Sequence, residues 1–196
     1  MAESGKPFDR KTLEQAFERL GELARAAEKS VEISVYGGSA LVLTTDFRVS
    51  TRDVDAVFER DRKFVREAAR VIAAEFGWDA TWINDGVKGF LSAKDQQKGA
   101  KALFRTYPDE SGAGLRVFIA SPHYIFAMKC LAMRIGGTDN SQDVADIQLL
   151  GKKLGIQTSK NAIALVSQYY PAGRISPKTQ FGLEEIFGVN GAQTDD

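Results

Sequence analysis

One segment governs how this chain folds. It begins with Val35-Tyr36-Gly37-Gly38-Ser39-Ala40-Leu41-Val42-Leu43 and ends with Arg52-Asp53-Val54-Asp55-Ala56-Val57-Phe58. The β-rich residues 31–36 predict a strand, which the two glycines end by letting the backbone turn where a Cβ would obstruct it. Ser39 is a favourable N-cap for a short helix over residues 40–43. A second apolar strand then carries two aspartates. The stretch therefore predicts strand, tight turn, short helix and acidic strand in succession.

Gly38 and Ser39 lie where this turn enters the helix. Backbone N–H groups at a tight turn, and at the N-terminus of a helix, attract anions. A phosphate tail needs no side-chain charge at such a place. Gly38 and Ser39 are therefore predicted to hold the phosphates of a nucleotide.

Asp53 and Asp55 are predicted to face the same side of their strand, with Cα atoms about 6.5–7 Å apart. Two carboxylates on one face repel each other unless a cation lies beside them, and Mg²⁺ prefers carboxylate and phosphate oxygens. A glycine pair alone is usually only a turn, and Asp-x-Asp alone is often a solvated edge. Together they predict a site for a nucleoside triphosphate and Mg²⁺, with Asp53 and Asp55 as metal ligands.

Gly38-Ser39, followed by Asp53-Val54-Asp55, resembles the signature of the nucleotidyltransferase superfamily related to DNA polymerase β. The closer resemblance is to its toxin-type branch, the AbiEii-like and MenT-like nucleotidyltransferases of toxin–antitoxin systems. It also covers residues 82–90, the helix holding Lys129 and Arg134, and Asp143-Val144-Ala145-Asp146. The resemblance implies a small mixed-sheet nucleotidyltransferase core, nucleotide transfer with Mg²⁺, an acceptor such as a tRNA 3′ end, and a neutralising antitoxin protein.

The composition is that of an ordinary globular protein, with 196 residues, 43% hydrophobic and 27% charged residues, and zero net charge. No overall basic bias points to nucleic acid. The single cysteine, Cys130, excludes an intrachain disulfide and suits a reducing compartment. The N-terminal residues are too polar for a signal peptide, and no apolar run reaches membrane-spanning length. We therefore expect a cytoplasmic protein with no membrane partner.

The rest of the chain predicts an α+β fold (α/β in the wider sense) with a helical C-terminal half. Apolar spacing and capping residues predict helices over residues 9–29, 59–76, 122–134, 139–150, 159–170 and 177–187, and strands over residues 102–107 and 115–120. The predicted parts are a core of residues 1–120, a helical half of residues 121–189, and a polar tail of residues 190–196.

Lys129 is the one charged residue in an otherwise apolar helix segment, residues 124–133. A lysine there must find a partner, reach the surface along its aliphatic stem, or lose its charge. We predict that its ammonium is aimed at the triphosphate. Asp143 and Asp146 are neighbours on the next helix, and Asp146 sits among apolar residues. The resemblance implies that one of the two carboxylates approaches the active site, where it would pair with Lys129 or replace the absent base.

The strand over residues 115–120 departs from the superfamily pattern. The superfamily often has a third aspartate there, as the base for the incoming hydroxyl, but the alternating residues are Arg116, Phe118 and Ala120 on one face and Leu115, Val117 and Ile119 on the other. The identity of any general base stays open between Asp146, Asp143 and solvent.

Two groups of cations near these elements are also open to interpretation. Lys94, Lys98, Lys101 and Arg105 form either a solvated face or a surface for an RNA backbone. Arg48 or Arg52, on the polar turn before the aspartates, is suited to hold a phosphate oxygen, and the sequence does not choose between them.

The sequence thus predicts a Mg²⁺-dependent nucleotidyltransferase, with Asp53, Asp55, Lys129 and Asp146 as catalytic residues. Two alternatives stay open. One is the same chemistry on a small hydroxylated molecule. The other is a non-catalytic nucleotide-binding module, which the missing third carboxylate favours.

Overall fold

The computed structural model describes residues 7–133 and 140–188. These residues form two compact units, one of residues 7–89 and 101–120 and the other of residues 90–100, 121–133 and 140–188. The predicted core of residues 1–120 includes residues 90–100, whereas in the structure these residues group with the helical unit. Arg134 and the tail of residues 190–196 lie outside the described residues.

A five-stranded mixed sheet forms the first unit. Its strands are β1 (Ser30–Val35), β2 (Val54–Arg60), β3 (Ile83–Asn84), β4 (Lys101–Tyr107) and β5 (Gly114–Ala120). The strand order is β3-β2-β1-β5-β4. β1 is antiparallel to β2 and parallel to β5, β2 is parallel to β3, and β4 is antiparallel to β5. The predicted α+β class with a mixed sheet is confirmed.

Helices α1 (Arg10–Ala26) and α3 (Arg62–Phe76) pack on this sheet, α1 against β1, β4 and β5 and α3 against β2. In β1, β2 and β5 every second side chain is buried and apolar. The buried side chains of the covered face are Val31, Ile33 and Val35, Val54, Ala56 and Phe58, and Leu115, Val117 and Ile119. This layer is the core of the unit.

The opposite face of the sheet carries polar side chains. Ser34 is paired in register with Val57 of β2 and with Phe118 of β5, so these three residues share a face. Asp55, two residues before Val57, lies on the same face. The apolar alternation that buries Ala56 therefore determines which way Asp55 points.

Two element boundaries differ from the prediction. The short helix, α2, spans Gly37–Thr44 with Tyr36 as its N-cap, so Ser39 lies inside the first turn. β2 continues through Arg60, and the third helix begins only after Asp61, whose left-handed conformation (φ 53°) turns the chain. The Asp61 side chain accepts a hydrogen bond from the Phe64 N–H and caps that helix.

Four helices form most of the second unit: α4 (Pro122–Ala132), α5 (Asn140–Leu154), α6 (Ser159–Tyr169) and α7 (Pro177–Phe187). α4 contacts the other three and begins, as predicted, at a Ser121 cap followed by proline. Residues 90–100 belong to this unit because the Tyr124 hydroxyl accepts a hydrogen bond from the Ser92 N–H (2.8 Å) and the Tyr170 hydroxyl donates to the Phe90 carbonyl (2.6 Å).

Cys130 is fully buried on α4, and burial raises the pKa of its thiol well above the ordinary value. That position fits a structural thiol. Across the part of the chain that is described, no helix has both the length and the apolar character needed to span a bilayer.

We predict that Gly21→Ala destabilises the first unit although alanine favours helix by about 1 kcal/mol. A Cβ at Gly21 of α1 would lie 2.5 Å from the Tyr107 carbonyl carbon and oxygen of β4, which are backbone atoms with little freedom to move. The expected loss in the free energy of unfolding is about 1–3 kcal/mol, measured by guanidinium denaturation. Gly173→Ala, where a Cβ would meet nothing within 4 Å, is the control. Equal effects at the two glycines would contradict the prediction.

Candidate active site

The glycine turn and the acidic strand meet at Gly37 and Asp55 in the first unit. Gly37 opens α2 with a φ of +59°, and a Cβ there would lie 2.6 Å from the Asp55 Oδ2. Since glycine alone leaves that space and adopts that φ at little cost, the Asp55 carboxylate lies directly against the turn. The backbone fixes the same approach, because the Tyr36 N–H donates to the Asp55 carbonyl at 2.9 Å.

Because Gly38 has no side chain, the loop before the aspartates can approach the same turn closely. A Cβ at Gly38 would lie 2.9 Å from the Thr51 Oγ1 and 3.2 Å from the Arg48 Nη2. Arg48 is thus the arginine of this loop whose guanidinium is placed against the glycines, a choice that the sequence left open. Its Nε donates to the Ser50 carbonyl at 2.8 Å, which orients the guanidinium.

Ser39 is buried in the first turn of α2, and its hydroxyl donates to the Tyr36 carbonyl at 2.9 Å. The first N–H groups of a helix have no partner within the helix. Any contribution of Ser39 to anion binding therefore falls to its backbone.

Asp53 lies just before β2, where its Oδ2 accepts a hydrogen bond from the Asn84 side-chain amide at 2.9 Å. Asn84 is also the register partner of Asp55 in the parallel pair of β2 and β3. Register partners point to the same side of a sheet, so Asn84, which is bonded to Asp53, shares a face with Asp55. The sequence assigns no role to Asn84, because a two-residue strand leaves no recognisable pattern.

Glu59, farther along the same strand, is held by a different set of contacts. Its Oε1 accepts hydrogen bonds from the Ser34 hydroxyl at 2.9 Å and the Lys101 ammonium at 2.7 Å. Glu59 is the residue that the register of β1 and β2 skips, between the pairs Ile33–Phe58 and Glu32–Arg60. Glu59 is therefore a partner of Lys101 and is not aimed at the aspartate pair.

The side chains of Asp53 and Asp55 suit one kind of Mg²⁺ site, in which the protein supplies only part of the ligands. Mg²⁺ is commonly bound by one or two protein carboxylates together with substrate phosphates and water. Within residues 7–133 and 140–188 no three or more His, Cys, Asp or Glu side chains are grouped to hold a metal ion. The residues present thus fit a metal site that the substrate completes, and do not form a complete protein cage.

Lys129 and Asp146 come together in the second unit. The Lys129 ammonium lies 2.8 Å from the Asp146 Oδ2 and 2.9 Å from the Asp143 Oδ1. Asp146 is fully buried and also accepts from the Gln142 amide at 3.2 Å, whereas the Asp143 side chain is 40% exposed. Lys129 thus has two partners within the protein, so the need for a partner no longer argues for a triphosphate contact. Its predicted role stays a prediction.

The basic residues considered for RNA are divided between the two units. In the second unit, Lys94 donates to the Gln168 carbonyl. In the first unit, Lys101 pairs with Glu59 and Arg105 lies 3.6 Å from Glu14. Three of the four cations therefore have partners of their own, which removes most of the support for an RNA surface here.

Asp85, in the same motif as Asn84, forms ion pairs with Lys88 and with Arg66, the latter at 3.0 Å. The Lys88 ammonium, with Arg66 beside it, holds the pKa of the Asp85 carboxyl below its usual value. These contacts tie the turn after β3 to α3, which is a structural role.

Comparison with known proteins adds one finding. A solved structure described as an antigenic nucleotidyltransferase-like protein from Paracoccidioides brasiliensis is similar to this chain, with 14% sequence identity, 93% of this chain and 99% of that chain covered, and a TM-score of 0.47. No protein-family model and no curated protein sequence matches the chain. A likeness of this degree carries no statement about activity, which rests on the residues described above.

We predict that Gly37→Ala costs more stability than Gly77→Ala. Both glycines have a positive φ, +59° and +70°, and both substitutions pay the cost of that conformation. Only at Gly37 would the new Cβ also displace a carboxylate, since nothing lies within 4 Å of a Cβ at Gly77. The expected excess loss is about 1 kcal/mol by denaturant unfolding, because the displaced atom is the end of a side chain and not backbone. A smaller loss at Gly37 than at Gly77 would refute the close approach of Asp55.

A second prediction compares the two partners of Lys129. Asp146→Asn should lower the free energy of unfolding by about 3 kcal/mol, because it removes a buried charge partner. Asp143→Asn should cost about 1 kcal/mol or less, because that carboxylate is half exposed and Lys129 keeps Asp146. Urea unfolding at neutral pH measures both. Equal losses would show that the two carboxylates share the ammonium evenly.

Proposed function

We propose that this chain is a metal-dependent nucleotidyltransferase, which moves a nucleotide from a nucleoside triphosphate to an acceptor hydroxyl. The observation that carries the proposal is the Asp55 carboxylate lying against Gly37, at the turn that opens α2. A carboxylate beside a glycine turn and a helix N-terminus offers a cation ligand next to an anion-binding backbone. That combination suits a metal–triphosphate complex better than either ligand alone.

Asp53 and Asp55 would hold Mg²⁺, which when bound would supply charge neutralisation at the triphosphate. Gly38 and Ser39 would take phosphate oxygens on their backbone N–H groups, and the Arg48 guanidinium, placed at Gly38, would hold a phosphate oxygen. Each of these residues belongs to the loop, turn or strand that the first unit brings together.

In the reaction, the acceptor oxygen forms a bond to the α-phosphorus while the bond from that phosphorus to the bridging oxygen breaks and pyrophosphate leaves. Lys129 would stabilise the negative charge that develops. The proton of the acceptor hydroxyl goes to Asp146, to Asp143 or to water. Asp146 has a second role, since it holds the Lys129 ammonium at 2.8 Å.

The finer part of the proposal concerns the acceptor and the partner. The sequence resemblance of residues 31–150 to toxin-type nucleotidyltransferases supports three finer points. These are an RNA acceptor such as a tRNA 3′ end, an antitoxin protein as partner, and a growth-inhibiting role in the cytoplasm. The zero net charge and the paired state of Lys94, Lys101 and Arg105 give an RNA acceptor no separate support.

A non-catalytic nucleotide-binding module is the second candidate. On β5, the strand where the superfamily often has its third carboxylate, Phe118 is paired with Ser34 of β1 and lies on the face that carries Asp55. An apolar side chain there cannot act as the base for the acceptor hydroxyl. The same chemistry on a small hydroxylated molecule is a third outcome, which the test below separates from the others.

We predict that the protein, incubated with Mg²⁺, each α-labelled nucleoside triphosphate and total tRNA, transfers label to RNA. Label found only in added small hydroxylated molecules would support a small-molecule transferase instead. Bound nucleotide without transfer to any acceptor would support the non-catalytic module, and absence of binding would overturn the proposal.

Asp55→Asn is the diagnostic variant, because it keeps the shape of the side chain beside Gly37 and removes its charge. Transfer should fall about 100-fold or more, the equivalent of a few kcal/mol of lost stabilisation. Asp79→Asn is the matched control, since Asp79 is an exposed turn residue whose Oδ1 accepts from the Thr81 N–H. Growth arrest on expression, relieved by Asp55→Asn but not by Asp79→Asn, would support the toxin role.

A further inference from the structure

We propose that Asn84 is the positioning residue of the aspartate pair, and that its amide fixes Asp53 in the orientation that receives the cation. The inference rests on the proposed function, because it assigns a role toward the metal that Asp53 and Asp55 would hold. Asn84 itself would not touch the metal or the nucleotide.

Both ends of the Asn84 amide are in use. Its Oδ1 accepts a hydrogen bond from the Gly86 N–H at 2.9 Å, and its Nδ2 donates to the Asp53 Oδ2 at 2.9 Å. The first bond settles which end of the amide carries the NH₂ group, since an N–H donor faces the oxygen. The second bond uses one lone pair of the Asp53 Oδ2 and holds the carboxylate in one orientation, with acceptor sites left for a cation.

The place of Asn84 is set by a rigid support. Asn84 ends β3, whose pairing with β2 sets Asn84 beside Asp55, and the Val54 N–H donates to the Trp82 carbonyl at 2.7 Å. The Trp82 side chain is buried, and its indole N–H donates to the Ala69 carbonyl of α3 at 2.9 Å. The strand that carries Asn84 is therefore fixed to β2 on one side and to α3 by its buried tryptophan.

A neutral donor is the right chemistry at this position. Asp53 and Asp55 already place two negative charges close together, and a third carboxylate would add repulsion in the absence of metal. An amide instead satisfies one lone pair of Asp53 without adding charge. Hydrogen bonds that orient a metal-binding side chain are commonly worth 10–100-fold in metal affinity.

The test measures binding of Mn²⁺ together with a non-hydrolysable nucleoside triphosphate, because the substrate completes the proposed metal site. Electron paramagnetic resonance follows the bound ion without turnover. Asn84→Ala should weaken Mn²⁺ binding by about 10-fold or more. Asp79→Ala loses a turn hydrogen bond of the same kind, from the Thr81 N–H at 2.7 Å, and should leave Mn²⁺ binding unchanged. Equal binding by the wild-type protein and Asn84→Ala would overturn this inference alone. No saturable binding by the wild-type protein would overturn the metal site of the proposed function as well.

Asn84→Asp separates positioning from a role in the turn. This variant keeps the acceptor for the Gly86 N–H but sets a carboxylate against the Asp53 Oδ2. Positioning predicts a lower melting temperature than wild type without metal and a larger rise on adding Mn²⁺. A residue needed only for the turn would show the wild-type melting temperature and the wild-type response to Mn²⁺, which would also overturn the inference.

Discussion

The approach of the Asp55 carboxylate to Gly37 is the constraint on which the first unit depends. The chain must pass from β1 into α2 through a residue with a positive φ and no Cβ, and it must then return along β2 so that Asp55 reaches that residue. The pairing of Val35 with Ala56 brings the two together. A shift of one residue in this register would turn Asp55 toward the helix-covered face and bring Ala56 out of the core. The apolar core and the acidic site thus specify the same register.

Much of the fold follows from local pattern. Alternating apolar residues predicted β1, β2 and β5, and apolar residues at helical spacing predicted the larger helices, because these patterns reflect burial on one face. The predicted boundaries were wrong where local signals compete. Glu59, Arg60 and Asp61 look like a charged helix start, but Asp61 adopts a left-handed conformation and leaves the first two residues to the strand. Residues 90–100 join the helical unit through single hydrogen bonds, which leave no periodic trace in the sequence.

The sequence predicted which residue types form the candidate site, but not which side chains contact each other. The sequence indicated that Asp53 and Asp55 need a cation and that Lys129 needs a partner, since unpaired charges near a core are costly. It gave no means of choosing between Arg48 and Arg52. The contact of Asn84 with Asp53 was missed because it depends on a two-residue strand and on a side-chain hydrogen bond between residues 31 positions apart.

The surroundings of Lys129 bear on how a phosphate would reach it. One ammonium faces two carboxylates, the Asp146 Oδ2 at 2.8 Å and the Asp143 Oδ1 at 2.9 Å. Asp146 is fully buried and cannot turn to water, whereas Asp143 is 40% exposed and loses little by doing so. Under the proposed function, a phosphate would therefore bind Lys129 by taking the place of Asp143 while Asp146 stays paired. The buried carboxylate would keep the ammonium in place, and the more exposed one would give up its position to the substrate.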